Sequence, residues 1–437
     1  MLVSLLGLVT VSGIGVNALD VGVAKLPVLG YNTWNFYQCD ISEKLIVETA
    51  TLMRKFGLQA AGYNYVNIDD CWSLKNRSKT GELVADPVKF PSGIKNLTDT
   101  LHKMGFKAGI YSDAGWFTCG GFPGSYSYEL KQVCHTLSPM DAQTFSDWGI
   151  DYLKYDNCAI PYDSITRQGV YGRYTPMRDA LIAVAKKAKK IPIVFSLCEW
   201  GWNQVWVWGK EVGQSWRTTG DIAPTWPSLA HIINFNSFIT SSTDYYGRND
   251  LDMLQIGNGN LTYEEKKSHW TAWALMKSPL FIGTNLSAIT PDTLSILTNR
   301  EILAINQDPV YGESISPFRW GLNPDWSFNA THPAQYWSGR SQNGTVVMML
   351  NTLDEPAEMS FNLTESPWIR AGRKYSIRDL WSHTNNGTAV RNITRTVPAH
   401  GVLALLLKDA GNEPAGLYPE CSVWWQCTDK NGTRVGG

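Results

Sequence analysis

Between residues 28 and 309 the chain alternates two hydrophobic periods. Short apolar runs that end in polar or charged residues read as strands: LGYNTW near residue 30, YVNIDD from 65, KAGIYSDAG from 107, DYLKYDNC from 151, FSLCEWG from 195 and SWRTTGD from 215. Between them, SEKLIVETATLMRKFG, IKNLTDTLHKMGF, MDAQTFSDWG and MRDALIAVAKKAKK place apolar residues at helical spacing, with charge on the other side and glycine at several ends. Strand and helix repeated about eight times predict an α/β fold, a parallel (β/α)8 barrel of the TIM type whose strand carboxyl ends gather at one mouth. After NQDP at residues 306–309 the helical pattern stops. QYWSGR, TVVMMLN, AEMSFNL, KYSIRDLW and GVLALLL, separated by Gly, Pro and Asn turns, predict a C-terminal antiparallel β-sandwich. The expected organisation is a signal peptide at 1–18, a barrel at 19–313, a sandwich at 314–410 and an extension at 411–437 with a small disulfide loop.

Composition narrows the function. Over 437 residues, Lys+Arg number 38 against 39 Asp+Glu, so no field favours nucleic acid or an anionic membrane, and a neutral substrate is expected. The 19 Trp and 19 Tyr suit cores and sugar faces alike. The first residues form an apolar run ending in Val16-Asn17-Ala18, a small-x-small pattern that fits cleavage after Ala18. Glycines interrupt that run, and it is short for a membrane span. A secreted protein is therefore expected, and ten N-x-Ser/Thr sequons agree: Asn76, Asn96, Asn260, Asn285, Asn329, Asn343, Asn362, Asn386, Asn392 and Asn431. Eight cysteines in an exported chain imply disulfides. Cys39 and Cys71 follow the first and second strands, Cys119 and Cys158 the third and fourth, and barrel neighbours can meet. Cys421 and Cys427 bracket SVWWQ and close a small loop. The pairing of Cys134 and Cys198 stays open. No cysteine or histidine cluster has metal-site spacing, and no cofactor is implied.

Within DYLKYDNC, Lys154 and Asp156 lie two residues apart and share one strand face. A cation there is expected to keep Asp156 ionised, as suits a nucleophile. Alone, Lys-x-Asp reads as an ion pair that serves packing. Five strand ends carrying Asp, Tyr, Lys, Glu and Arg make one site the better reading.

Taken in order, LGYNTWNFYQCD, YVNIDDCW, GIYSDAGWFTCGGFPGS, DWGIDYLKYDNC, LCEWG, SWRTTGDI, NDLDML and PAHGVLALLL resemble glycoside hydrolase family 27, within it the fungal α-galactosidases, over nearly the whole chain after the signal. The resemblance implies a retaining exo-glycosidase with two carboxylates roughly 5 to 5.5 Å apart. Asp156 would be the nucleophile and Asp221 the acid/base. Trp34, Asp69, Asp70, Tyr111, Lys154, Glu199, Arg217 and Asp252 would bind the sugar, with Met253 and the Cys119–Cys158 bridge on the wall. Arg217 should lower the pKa of Asp221, against its acid role, so the Asp156 anion has to push harder the other way. Neighbours on a strand face opposite ways, so Asp69 and Asp70 both reach the pocket only if the strand ends there. Glu199 implies a free 2-hydroxyl and hence galactose, where N-acetylgalactosaminidases carry a small residue, and Asp69 argues against the arabinopyranosidase branch. The implied partners are α-galactoside oligosaccharides of the melibiose and raffinose type or galactomannan branches. The alternatives are an α-N-acetylgalactosaminidase and a catalytically silent galactose-binding protein. The loop SYSYELKQVC is longer than in the shortest family members and is expected to reshape the leaving-group side.

Overall fold

The computed structural model describes residues 19–129, 131–133, 136–138, 140–415, 417, 431 and 433. The expected signal peptide, Cys134 and the Cys421–Cys427 loop lie outside the described residues. Eight parallel strands form one sheet: β1 (Leu29–Asn32), β2 (Tyr65–Asn67), β3 (Lys107–Asp113), β4 (Tyr152–Asp156), β5 (Val194–Cys198), β6 (Ser215–Arg217), β7 (Arg248–Asp250) and β8 (Leu280–Ile282). They pair in chain order, and β8 pairs with β1. A parallel bridge from Leu254 to Ile282, with the Leu254 amide 2.8 Å from the Phe281 carbonyl, closes the ring beyond β7. The barrel expected from the alternation is therefore present.

β4 shows how five residues place chemistry. Leu153 and Tyr155 are buried against the outer helical layer. Tyr152, two positions before Lys154 and four before Asp156, packs instead with Val28, Tyr65, Val194, Met253 and Phe281. Rings of Tyr65 and Phe281 stand 5.9 and 5.2 Å from that of Tyr152, plugging the lumen below the mouth. One strand face thus runs from an apolar floor to a charged rim, because side chains two apart share a face.

The helices form where caps and apolar stripes agree. In Glu43–Lys55 the Ser42 hydroxyl accepts from the Leu45 amide, Ile46, Ala50 and Met53 are buried, and Glu43 and Arg54 sit at the ends that favour their charges. Ile94–Lys103 buries Ile94, Leu97, Thr98 and Leu101 on one stripe. The expected helix from Met177 is the second half of a longer one, Tyr162–Ala188, broken at Gly169, whose φ is 65°. Tyr263–Leu275 opens with a capping box between Thr262 and Glu265 and is buried on most sides. It is wedged between barrel and sandwich, with Ser268 donating to the His400 carbonyl and Trp381 to Thr271.

The C-terminal unit has an antiparallel six-stranded sheet of β9 (Ser316–Arg319), β10 (Tyr336–Ser341), β11 (Gly344–Leu350), β13 (Arg373–Asp379), β14 (Thr384–Ala389) and β16 (Val402–Asn412). It faces a two-stranded sheet of β12 (Ala357–Asn362) and β15 (Asn392–Val397). On β11, Val347 and Met349 enter the sandwich core with Phe361 and Leu405, while Val346, Met348 and Leu350 join the core shared with the barrel. A run of five apolar residues is explained by burial on both faces, worth about 1.5–3 kcal/mol per large side chain. No helix of the described residues is long and apolar enough to cross a membrane.

Candidate active site

The mouth is built from strand ends. β4 ends at Asp156, whose carboxylate is buried at 6% exposure. Its Oδ2 accepts from the Tyr111 hydroxyl at 2.9 Å and its Oδ1 from the Asn157 amide at 3.0 Å. Burial pushes its pKa up, against the opposing pull of Lys154, Tyr111 and Cys198. The ammonium of Lys154 is bonded elsewhere, 2.9 Å from Oδ2 of Asp69 and 5.2 Å from the Tyr111 ring centre. The expectation that the Lys154 charge keeps Asp156 ionised holds in direction only, since it pulls the Asp156 pKa down and burial outweighs it. Asp69, 85 positions away in sequence, takes the cation directly, and the Lys154 field only moderates a desolvated carboxyl.

Asp69 and Asp70 lie beyond the end of β2 at Asn67, and the chain turns at Cys71, whose φ is 72°. That turn removes the difficulty of two neighbours facing opposite ways. Asp69 also accepts from the Asn32 amide group at 2.8 Å. Asp70 accepts from Thr118 at 2.9 Å, the Gly120 amide at 2.7 Å and the Cys71 amide at 2.7 Å. Its oxygens are therefore turned toward the segment after β3, and burial raises its pKa.

Arg217, at the end of β6, is buried and holds two carboxylates with one nitrogen: Asp252 at 2.8 Å and Asp221 at 3.1 Å. Its other terminal nitrogen lies 3.8 Å from the Cys198 sulfur. Asp252 adopts a φ of 78°, a left-handed conformation that costs a non-glycine residue, and accepts from the amides of Ile222 and Met253. Asp221 differs from every other acid of the group, because its side chain is 73% exposed. Partial desolvation raises its pKa, but the Arg217 and Lys154 charges outweigh that and hold it below the usual carboxylate range.

Trp34, Lys154, Arg217, Asp221, Asp252 and Met253 line one open cavity of about 300 Å³. Glu199 is fully enclosed, and burial drives its pKa well up against the opposing pull of the Glu199 and Gly201 amides. The Cys39–Cys71 and Cys119–Cys158 disulfides are present, with Cα atoms 5.2 Å apart in each, and Cys198 is a buried free thiol.

Three further residues belong to this cluster and escape the sequence reading. Asp113 faces Asp156 across the β3–β4 ladder and accepts from the Gly115 and Cys158 amides. Asp250, buried beside Arg217 and Asp252, has its pKa pushed up to about 6. Both could have been found, since Asp113 follows Tyr111 by two and Asp250 precedes Asp252 by two, the spacing that singled out Lys154 and Asp156. Asn32, the third, carried no such signal.

A family model described as alpha galactosidase A matches residues 27–308, and one described as the alpha galactosidase C-terminal beta sandwich domain matches 331–407. The chain is 42% identical over 431 residues to the protein named "Probable alpha-galactosidase B" of Talaromyces emersonii, spanning 88% of this chain and 93% of that one. Alpha-galactosidase I from Mortierella vinacea superimposes with a TM-score of 0.80 at 36% identity, over 90% of this chain and all of that one. The alpha-galactosidase of Saccharomyces cerevisiae solved with raffinose gives 0.76 at 29%, over 89% and 99%. By barrel, sandwich and sequence, the chain belongs to the alpha galactosidase family of glycoside hydrolases.

Proposed function

We propose that this α-galactosidase is a retaining exo-glycosidase that releases terminal α-D-galactosyl groups from galacto-oligosaccharides of the melibiose and raffinose type and from galactomannan branches, outside the cell. The observation that carries this reading is the contrast between two carboxyls at one mouth: Asp156 is buried and hydrogen-bonded, whereas Asp221 is exposed and tied to Arg217. A buried carboxylate steered by Tyr111 can approach the anomeric carbon from one side. An exposed carboxyl opposite it can protonate the departing oxygen and then deprotonate the water that resolves the galactosyl-enzyme. Asp69, Asp70, Lys154, Arg217 and Asp252 supply donors and acceptors for the hydroxyls, and Trp34 a flat wall. Glu199, enclosed behind the end of β5, limits the room at the 2-position and so favours a free hydroxyl there.

The surroundings of the two carboxyls raise the pKa of Asp156 and lower that of Asp221, the reverse of the proton order the first step uses. A bound sugar covers Asp221, and desolvation then raises its pKa toward the acid role. The S. cerevisiae relative seen with raffinose supports the substrate class. The apolar leader and the sequons support export.

The test is to follow hydrolysis of p-nitrophenyl α-galactoside by proton NMR, beside the N-acetylgalactosaminide and the β-arabinopyranoside. First appearance of α-galactose, with slow turnover of the other two, is the expected result. First appearance of the β-anomer would rule out the covalent step.

A further inference from the structure

The segment that follows β3 carries two aromatic side chains for which the fold has no use. Trp116 is 49% exposed and Phe117 53% exposed. They sit on a short hairpin closed by the Phe117–Pro123 bridge and by bonds from the Thr118 amide to the Phe122 carbonyl and from the Gly124 amide to the Trp116 carbonyl. The hairpin is fastened on both flanks to the site. Thr118 and the Gly120 amide bind Asp70, Cys119 is bridged to Cys158, and the Trp116 amide donates to the Ala159 carbonyl just past Asp156. It is also tightly packed. A Cβ on Gly115 would lie 1.9 Å from the Cys158 carbonyl oxygen, and one on Gly124 would lie 2.2 Å from the Gly115 oxygen. The Trp116 ring is braced edge-on against Tyr126, centroids 4.3 Å apart.

So the polar groups of this hairpin hold it to Asp70 and the β4 end, and what it offers to water beside the mouth is flat and apolar. The cavity of about 300 Å³ between Trp34 and Asp221 is small beside an oligosaccharide of several pyranose units. Any further sugar has to lie on the rim. We propose that Trp116 and Phe117 are the platform on which the sugar chain carrying the galactosyl group lies, and that this chain is a neutral oligosaccharide of two or more pyranose units, whose C–H faces stack on such rings. The proposal rests on the α-galactosidase reading of the pocket and deepens it by naming what the leaving group contacts.

The experiment compares methyl α-galactoside with a galactosylated manno-oligosaccharide, for the full-length protein and for Trp116→Ala, Phe117→Ala and the double variant, with Trp116→Tyr as the conservative control. On the oligosaccharide, kcat/KM of the double variant should fall by about tenfold, carried by KM, while methyl α-galactoside turnover is unchanged. Trp116→Tyr should keep most of the wild-type value. An equal loss on both substrates would make the hairpin a support for Asp156 and overturn the proposal, as would no loss on either. A wild type inactive on methyl α-galactoside would instead sink the catalytic reading, and this one with it.

Discussion

The barrel mouth and the β-sandwich handle charge in opposite ways. At the mouth, Asp69, Asp70, Asp113, Asp156, Glu199, Asp250 and Asp252 are buried and outnumber the cations among them, Lys154 and Arg217. The side chains of Asn67 and Asn157 and the Nε of Arg217 are enclosed there without partners. In the sandwich, Arg373 pairs with Asp409, Arg391 with Glu413 and Arg319 with Glu365, one acid to each arginine. Among the described residues of that unit, 316–412, the indole nitrogen of Trp320 alone is enclosed without a partner. A region built for stability satisfies its polar groups. One that keeps acids in excess and in a dry place is arranged for something that arrives later, here a polyhydroxylated ligand.

Removing the two carboxyls assigned to chemistry should break the mouth most severely without touching the sandwich. Asp156→Asn is expected to cut kcat by about 10⁴-fold or more and Asp221→Asn by about 10²–10⁴-fold, both with unchanged Tm, measured on p-nitrophenyl α-galactoside. Comparable activity in either variant would remove that residue from its role. Next comes Asp252→Ala, which leaves the buried Arg217 guanidinium short of its nearest carboxylate. A loss of about 3–5 kcal/mol is expected in denaturant unfolding, together with lost activity.

A smaller effect sharpens the electrostatics. Tyr111→Phe deletes a donor that favours ionised Asp156, so the Asp156 pKa rises. Activity needs the anion. The acid limb of kcat/KM should therefore move to higher pH by about one unit, and a shift to lower pH would contradict the assignment.

Asp250 offers a stability readout from the same region. Its folded pKa of about 6 lies above the unfolded value, so the native state binds the extra proton and its contribution is fully present only below the unfolded pKa. That contribution is lost as pH rises through about 6. Asp250→Asn should accordingly gain Tm relative to the wild type between pH 4 and 7, and parallel curves would refute the shift. The smallest effect belongs to the sandwich. Arg373→Ala breaks an exposed pair and should cost no more than about 1 kcal/mol, with kcat/KM unaltered.

How much of this was legible in the sequence varies by residue. The helical spacing of SEKLIVETATLMRKFG and the shared strand face of Lys154 and Asp156 follow from local spacing, and both appear as expected. The five-residue apolar run of β11 was legible as a strand, but not its two partners, because periodicity cannot tell burial on both faces from burial on one. Strands β14 and β15 were missed, since the polar TNNGTA and NITRTV carry little pattern.

Alternation along the chain determined the barrel, the sandwich and the set of residues able to stand at one mouth, because strand and helix periods are local properties of the backbone. Tertiary structure alone decided which of those residues meet. It gave Lys154 to Asp69, gave Arg217 to both Asp252 and Asp221, shut Glu199 away from solvent and left Asp221 in it. Pairing and desolvation depend on groups brought together from distant positions, and desolvation sets the protonation state on which the chemistry turns.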